Sequence, residues 1–129
     1  MSETKLPADL RYTKSHEWVR ADGAELVVGI TDHAQAELTD IVFVDLPAAG
    51  KAVAAGQGVL VLESVKTVAD IYAPAAGTVT AANGELTAHP ELVNQDPYGK
   101  GWLYRLRPSA PFDPASLLSA EQYRAGLGA

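Results

Sequence analysis

Lys66 is the residue whose type and setting invite chemistry, because a primary amine at the tip of a tight turn is open to acylation. Acylation removes the positive charge and adds a long flexible arm. A carrier lysine must be exposed, held at fixed height by flanking strands, and surrounded by side chains that a modifying enzyme can grip. A lone lysine on a turn is more often solvated decoration, so its neighbours decide the matter. Val59 to Val65 reads as an apolar strand and Val68 to Ala73 as a second. In the first, Leu60, Leu62, Ser64 and Lys66 share one face, and Val59, Val61, Glu63 and Val65 share the other. Polarity rises toward the end of that strand, as expected where a strand leaves a core for a solvated tip.

Other chemistries find less support. Gly56-Gln57-Gly58 suggests a phosphate loop, but it lacks a following Gly-Lys-Ser/Thr and precedes a strand rather than a helix. His16, His33 and His89 are scattered, with no partner at metal-ligand spacing. There are no cysteines, which excludes disulfides, thiolate metal sites and cysteine nucleophiles together. Any redox group must therefore be borrowed. No Ser-His-Asp ordering stands out, and Asp32, Glu37 and Asp40 read as a solvated acidic face.

The elements that must position Lys66 are short. Residues 1–10 read as a flexible tail. His16 to Ile30 reads as a β-hairpin turning at Ala21-Asp22-Gly23, where Asp-Gly supplies positive φ. Thr31 is a plausible N-cap for a helix from about Asp32 to Leu38. Ile41 to Leu46 is β-branched and aromatic, and is stopped by Pro47. A short strand is expected around Lys51 to Val53, and another opens at Thr78 after the Pro74 to Gly77 turn. A helical turn at Glu85 to Ala88 precedes a loop through Pro90, Pro97, Gly99 and Gly101, and Trp102 to Arg107 is a further strand. Asp113-Pro114 opens a C-terminal helical segment, 113–127, in which Ser119 and Gln122 form a capping box. Short strands at regular intervals predict a small β sandwich or barrel with short helices at its ends.

Length and composition bound the rest. At 129 residues the chain has room for one domain, expected to span 1–129, and for one real core. Hydrophobic residues at 47% and charged residues at 20% are ordinary for a globular domain. No apolar run approaches the ~18 residues that span a bilayer. The net charge of −6 argues against nucleic acid, whose binding depends on Lys and Arg, and suits docking on more basic proteins. The N-terminal residues show neither a secretory nor a transit pattern, so a bacterial cytoplasm is expected, or a mitochondrial matrix for a processed eukaryotic chain.

The stretch Leu62-Glu63-Ser64-Val65-Lys66-Thr67-Val68-Ala69-Asp70-Ile71-Tyr72-Ala73-Pro74 closely resembles the lipoyl-attachment segment of glycine cleavage H proteins. Ser15-His16-Glu17-Trp18, Gly29 to Gln35, Val42 to Pro47 and Pro90 to Leu103 resemble further motifs of the same family, in the same order. The resemblance covers the chain from about Arg11 to Leu127. Thr67 stands where the family usually has Ala, and Ala69 where Ser is common; β-branched Thr67 still suits a strand start.

What the resemblance implies is specific. The fold would be a mainly β, flattened barrel-sandwich hybrid of the lipoyl and biotinyl type, with two small antiparallel sheets, short peripheral helices and a C-terminal helix. Lys66 would carry (R)-lipoate, with Glu63, Ser64, Val65 and Thr67 recognised by a lipoate-protein ligase or octanoyltransferase. The chain would be a non-catalytic carrier visiting the glycine decarboxylase P protein, the aminomethyltransferase T protein and the dihydrolipoamide dehydrogenase L protein. Glu17 and His33 would contact the loaded arm in a surface cleft. Rival readings are a lipoyl or octanoyl relay for other enzymes, a biotin carrier, and an interaction module with unmodified Lys66. The biotin reading is disfavoured because such lysines usually lie between methionines, and Met1 is the sole methionine.

Overall fold

The computed structural model of the chain describes residues 7–126. Its elements, in order, are β1 (Arg11–Tyr12), β2 (Glu17–Asp22), β3 (Glu25–Ile30), α1 (Asp32–Leu38), β4 (Ile41–Asp45), β5 (Ala52–Val53), β6 (Gly58–Ser64), β7 (Val68–Tyr72), β8 (Gly77–Ala82), α2 (Glu85–Ala88), α3 (Leu92–Gln95), β9 (Tyr104–Pro108) and α4 (Ala120–Gly126), with a 3-10 turn at Pro114–Ser116 before α4. Two antiparallel sheets result, a six-stranded one in the order β1-β2-β3-β9-β8-β5 and a three-stranded one in the order β4-β6-β7. Neither order returns on itself, so the expected barrel-sandwich hybrid takes the form of two facing sheets without a closed barrel. Val28, Val79 and Leu106 from the larger sheet meet Leu60, Leu62 and Ile71 from the smaller one in a single core. A second cluster on the other face of the larger sheet joins Leu10, Tyr12, Trp18 and Val27 to Tyr123 of α4.

Several expected elements stand where the sequence places them. Thr31 caps α1, its hydroxyl accepting from the Ala34 N–H at 3.2 Å. The capping box of α4 is formed in both directions: Gln122 N–H to the Ser119 hydroxyl, and Ser119 N–H to the Gln122 side-chain Oε1.

Other boundaries move, for physical reasons. The β2–β3 hairpin pairs Asp22 with Glu25, so its turn lies at Gly23-Ala24 rather than Ala21 to Gly23, with φ +63° at Gly23. The loop expected between Pro90 and Gly101 contains α3, whose four residues are too few to show helical periodicity. The end of the expected tail is anchored: Leu10 is buried and the Tyr12 hydroxyl donates to the Pro7 carbonyl, while Ala8 and Asp9 are exposed. Residues 1–6 of the expected tail and Leu127 of the expected last helix lie outside the described residues. In β6 both Val59 and Leu60 are buried, because the pairing with β7 slips between Gly58 and Leu60 and breaks the alternation.

Two close approaches lock this frame. Gly29 faces Trp18 across the β2–β3 ladder, and a Cβ there would lie 2.5 Å from the indole. The Asn94 side chain accepts from Ile41 N–H and donates to the Thr39 carbonyl, fixing the corner between α1 and β4 where Thr39 takes a positive φ of 63°.

Candidate functional site

The β6–β7 hairpin ends in a two-residue turn, Val65-Lys66, closed by Ser64 N–H donating to the Thr67 carbonyl at 2.8 Å. Neither turn residue needs a positive φ, since a side chain does the holding. The Ser64 hydroxyl accepts from the Lys66 and Thr67 N–H groups at 3.3 and 3.1 Å. Val65 N–H donates to the Asp40 carbonyl, tying the tip to the start of β4. Lys66 is exposed, as are Glu63, Val65 and Thr67. The amine is thus held out in solvent on a braced turn.

The outward face of the three-stranded sheet surrounds this tip. One cross-strand row runs Phe43, Glu63, Val68, and the next runs Asp45, Val61, Asp70. Phe43 is 50% exposed, Val65 64% and Val68 61%. Beside the lysine the surface is therefore an apolar cluster set among carboxylates.

A narrow groove of about 160 Å³ runs between β7 and α1. Its walls are Ala69, Asp70 and Ile71 on one side and Ala34, Glu37 and Leu38 on the other, with Ser15 and His16 at its end. Glu17 lies behind Ser15 and is 1% exposed. Its carboxylate accepts from the Thr13 and Ser15 hydroxyls and from Tyr72 N–H, so it bolts the start of β2 to the edge of β7. It also lines a second cleft with Ser15, Tyr72 and Pro74. His33 pairs with Glu37 through Nε2 at 3.0 Å and lies 5.0 Å, ring to ring, from His16.

The expected residues thus fall into two groups. Glu63, Ser64, Val65, Lys66 and Thr67 form one tip, and Glu17 and His33 lie near the groove end rather than at that tip. Ser15, Glu37 and Asp70 also border the groove, which the sequence reading did not assign. For Ser15 and Asp70 a signal existed, since Ser15 opens the Ser15 to Trp18 motif and Asp70 lies within the Leu62 to Pro74 stretch; Glu37 reads only as part of a solvated acidic face. Among the described residues no cluster of three or more His, Cys, Asp or Glu could hold a metal ion, and no helix is long and apolar enough to cross a membrane.

Comparison with known proteins places this arrangement. The family model described as "Glycine cleavage H-protein" matches residues 10–128. The chain belongs to the glycine cleavage H-protein family. It is 49% identical over 121 residues to the glycine cleavage system H protein of Acinetobacter baumannii, covering 94% of this chain and 98% of that one. It is 55% identical over 116 residues to the protein of that name from Legionella pneumophila, covering 90% and 93%. The crystal structure of a glycine cleavage system H protein from Mycobacterium marinum superposes with a TM-score of 0.86 at 41% identity, covering 96% of this chain and all of that one. The H-protein motifs of the sequence frame the groove and the corner between α1 and β4. Ser15 to Trp18 and Gly29 to Gln35 build the groove end, and the Pro90 to Leu103 segment supplies Asn94.

Proposed function

We propose that the chain carries (R)-lipoate as an amide on Lys66 Nζ and shuttles between the enzymes of the glycine cleavage system. The bound group would supply a disulfide that accepts the aminomethyl residue of glycine at the P protein, yields it to tetrahydrofolate with release of ammonia at the T protein, and is restored at the L protein. The chain itself is a carrier: its residues present, dock and shelter the arm, and the hard chemistry stays with the cofactor and the partner enzymes. Bacterial relatives support a cytoplasmic setting.

The residues present fit such a group. An extended lysine and lipoyl chain, about eleven bonds from Cα to the ring, spans roughly 14 Å. Four residues of strand from Lys66 to Asp70 span roughly 13 Å, so the arm lying along β7 ends in the groove. There apolar walls receive its hydrocarbon, while Asp70, Glu37 and the Ser15 hydroxyl can hold an amine at its end. Glu17 orients Ser15 and adds negative potential from behind it. Exclusion of water from a loaded arm is the service this groove renders. The apolar, acid-rimmed face around Phe43 and Glu63 suits partners with a basic rim.

The observation that carries the reading is the exposed Lys66 amine on its braced turn. Expression of the full chain with an active octanoyltransferase and lipoyl synthase, or with lipoate-protein ligase and lipoate, tests it by intact mass. One lipoyl increment is expected on the wild-type chain and none on Lys66→Arg. An unmodified wild-type chain would overturn it.

A further inference from the structure

His16 is the unusual residue of the groove. It adopts a left-handed backbone, φ +73°, that puts its ring at the end of the groove on one side and against a separate cavity of about 400 Å³, bordered by Lys14, Gln122 and Tyr123, on the other. Its Nδ1 lies 2.6 Å from the Tyr123 hydroxyl, which also lies 2.8 Å from Thr31 Oγ1. Thr31 in turn accepts from Ala34 N–H, so one chain of hydrogen bonds links α1, α4 and the turn that leads into β2 at this ring. The charged and titratable groups around it are His33 and Glu37 on α1, Glu17 at the start of β2, Tyr123 on α4, Asp70 across the groove on β7, and Lys14 beside the rear cavity.

These groups divide unevenly. The groove is bordered by two carboxylates, Glu37 and Asp70, and His16 is the only basic side chain among its lining residues. A proton on His33 is met by Glu37, 3.0 Å away. A proton on His16 would instead place positive charge at the end of the groove, where a cationic arm must seat. Burial first, and then His33, holds the His16 imidazole below its ordinary value, so it is neutral near pH 7.

Building on the lipoyl-arm reading, we propose that His16, held by Tyr123, is a positioning residue that lets an arm ending in an ammonium group occupy the groove when the imidazole is neutral and expels it when the imidazole is protonated. An uncharged arm is indifferent to that proton. Acid thereby releases the loaded arm.

A stable pair of probes tests this on the full chain. The chain has no cysteine, so after lipoylation and reduction the arm bears its only thiols. Alkylation of both thiols with bromoethylamine gives an arm ending in two ammonium groups, and alkylation of both with bromoethane gives a neutral one of similar shape. The Ala34 and Ala69 methyl signals and the His16 ring signals are then followed by NMR. The cationic arm is expected to shift both methyls at about pH 7.5 and to release them by about pH 5, while the neutral arm shows no such step. The His16 midpoint should be lower with the cationic arm by about half a pH unit or more. Asparagine tolerates left-handed backbone, so His16→Asn keeps the local conformation, and its cationic arm should stay seated across the range. Equal midpoints with the two arms, or the same acid release in His16→Asn, would overturn the proposal. If neither arm moved the methyls at any pH, the groove would not house the arm and the proposal would fall together with that part of the functional reading.

Discussion

Ser64 and Glu17 are both polar groups that fix backbone, but they differ in what their loss exposes. Ser64 is at the solvated tip, where water can replace its hydroxyl. Ser64→Ala is therefore expected to leave stability within about 1 kcal/mol in a urea melt while slowing lipoylation severalfold, because the amine loses its fixed height. Unchanged initial rates of lipoylation would show that the hydroxyl is dispensable for recognition. Glu17 is buried, and Glu17→Ala removes the acceptor of the Tyr72 N–H and of the Thr13 and Ser15 hydroxyls, leaving the Tyr72 N–H without its partner. A loss of about 2–3 kcal/mol is expected in the same melt, with a shorter lifetime of the amine-loaded arm. An unaltered lifetime in a folded Glu17→Ala chain would remove Glu17 from any role toward the arm.

Strands and helices carry these side chains, and two of them can be tested through a single contact each. β3 lies flat against the indole of Trp18 only because Gly29 has no Cβ. Gly29→Ala should destabilise the chain by about 1–3 kcal/mol through overpacking, visible as a lower denaturation midpoint with an unchanged slope. For α4 the start is the weak point, since the helix has seven residues and depends on its cap. Ser119→Ala should lower stability by about 1 kcal/mol. It should also raise hydrogen exchange of the Tyr123 amide, which donates to the Ser119 carbonyl. Exchange as slow as in the wild type would mean that packing of Tyr123 against Tyr12, rings 5.1 Å apart, suffices without the cap.

For the molecule taken whole, pH and salt act through different groups. The unfolded His16 takes up a proton near 6.5, whereas burial and His33 lower its value in the folded chain. Between those values the unfolded state binds more protons, so stability is full above about pH 6.5 and falls as the pH is lowered through that window. Urea melts at about pH 7.5 and about pH 5.5 should show a larger loss for the wild type than for His16→Asn. The Asp22 and Glu25 carboxylates, held below their ordinary values by the Arg105 guanidinium, contribute in a separate and more acid range. Salt should instead weaken partner docking, since the carboxylates around Glu63 are solvated and screened within roughly 10 Å at 0.1 M.

The hairpin and its lysine were readable from local pattern, because strand alternation and a polar tip are written in adjacent residues from Leu60 to Thr67. The Thr31 cap and the Ser119–Gln122 box were readable for the same reason: each joins residues three apart. The family was readable from motifs whose order survives without any knowledge of contacts. The groove was not. Ser15, Glu37 and Asp70 lie far apart in sequence and meet only when β7 packs beside α1, and the bond from Glu17 to Tyr72 spans 55 positions. The slip that buries both Val59 and Leu60 and the four-residue α3 were equally hidden, since pairing across strands and packing over a loop set them. Sequence pattern fixes what neighbours in the chain do to one another, whereas the enclosure that could shelter an arm belongs to surfaces that only the folded chain brings face to face.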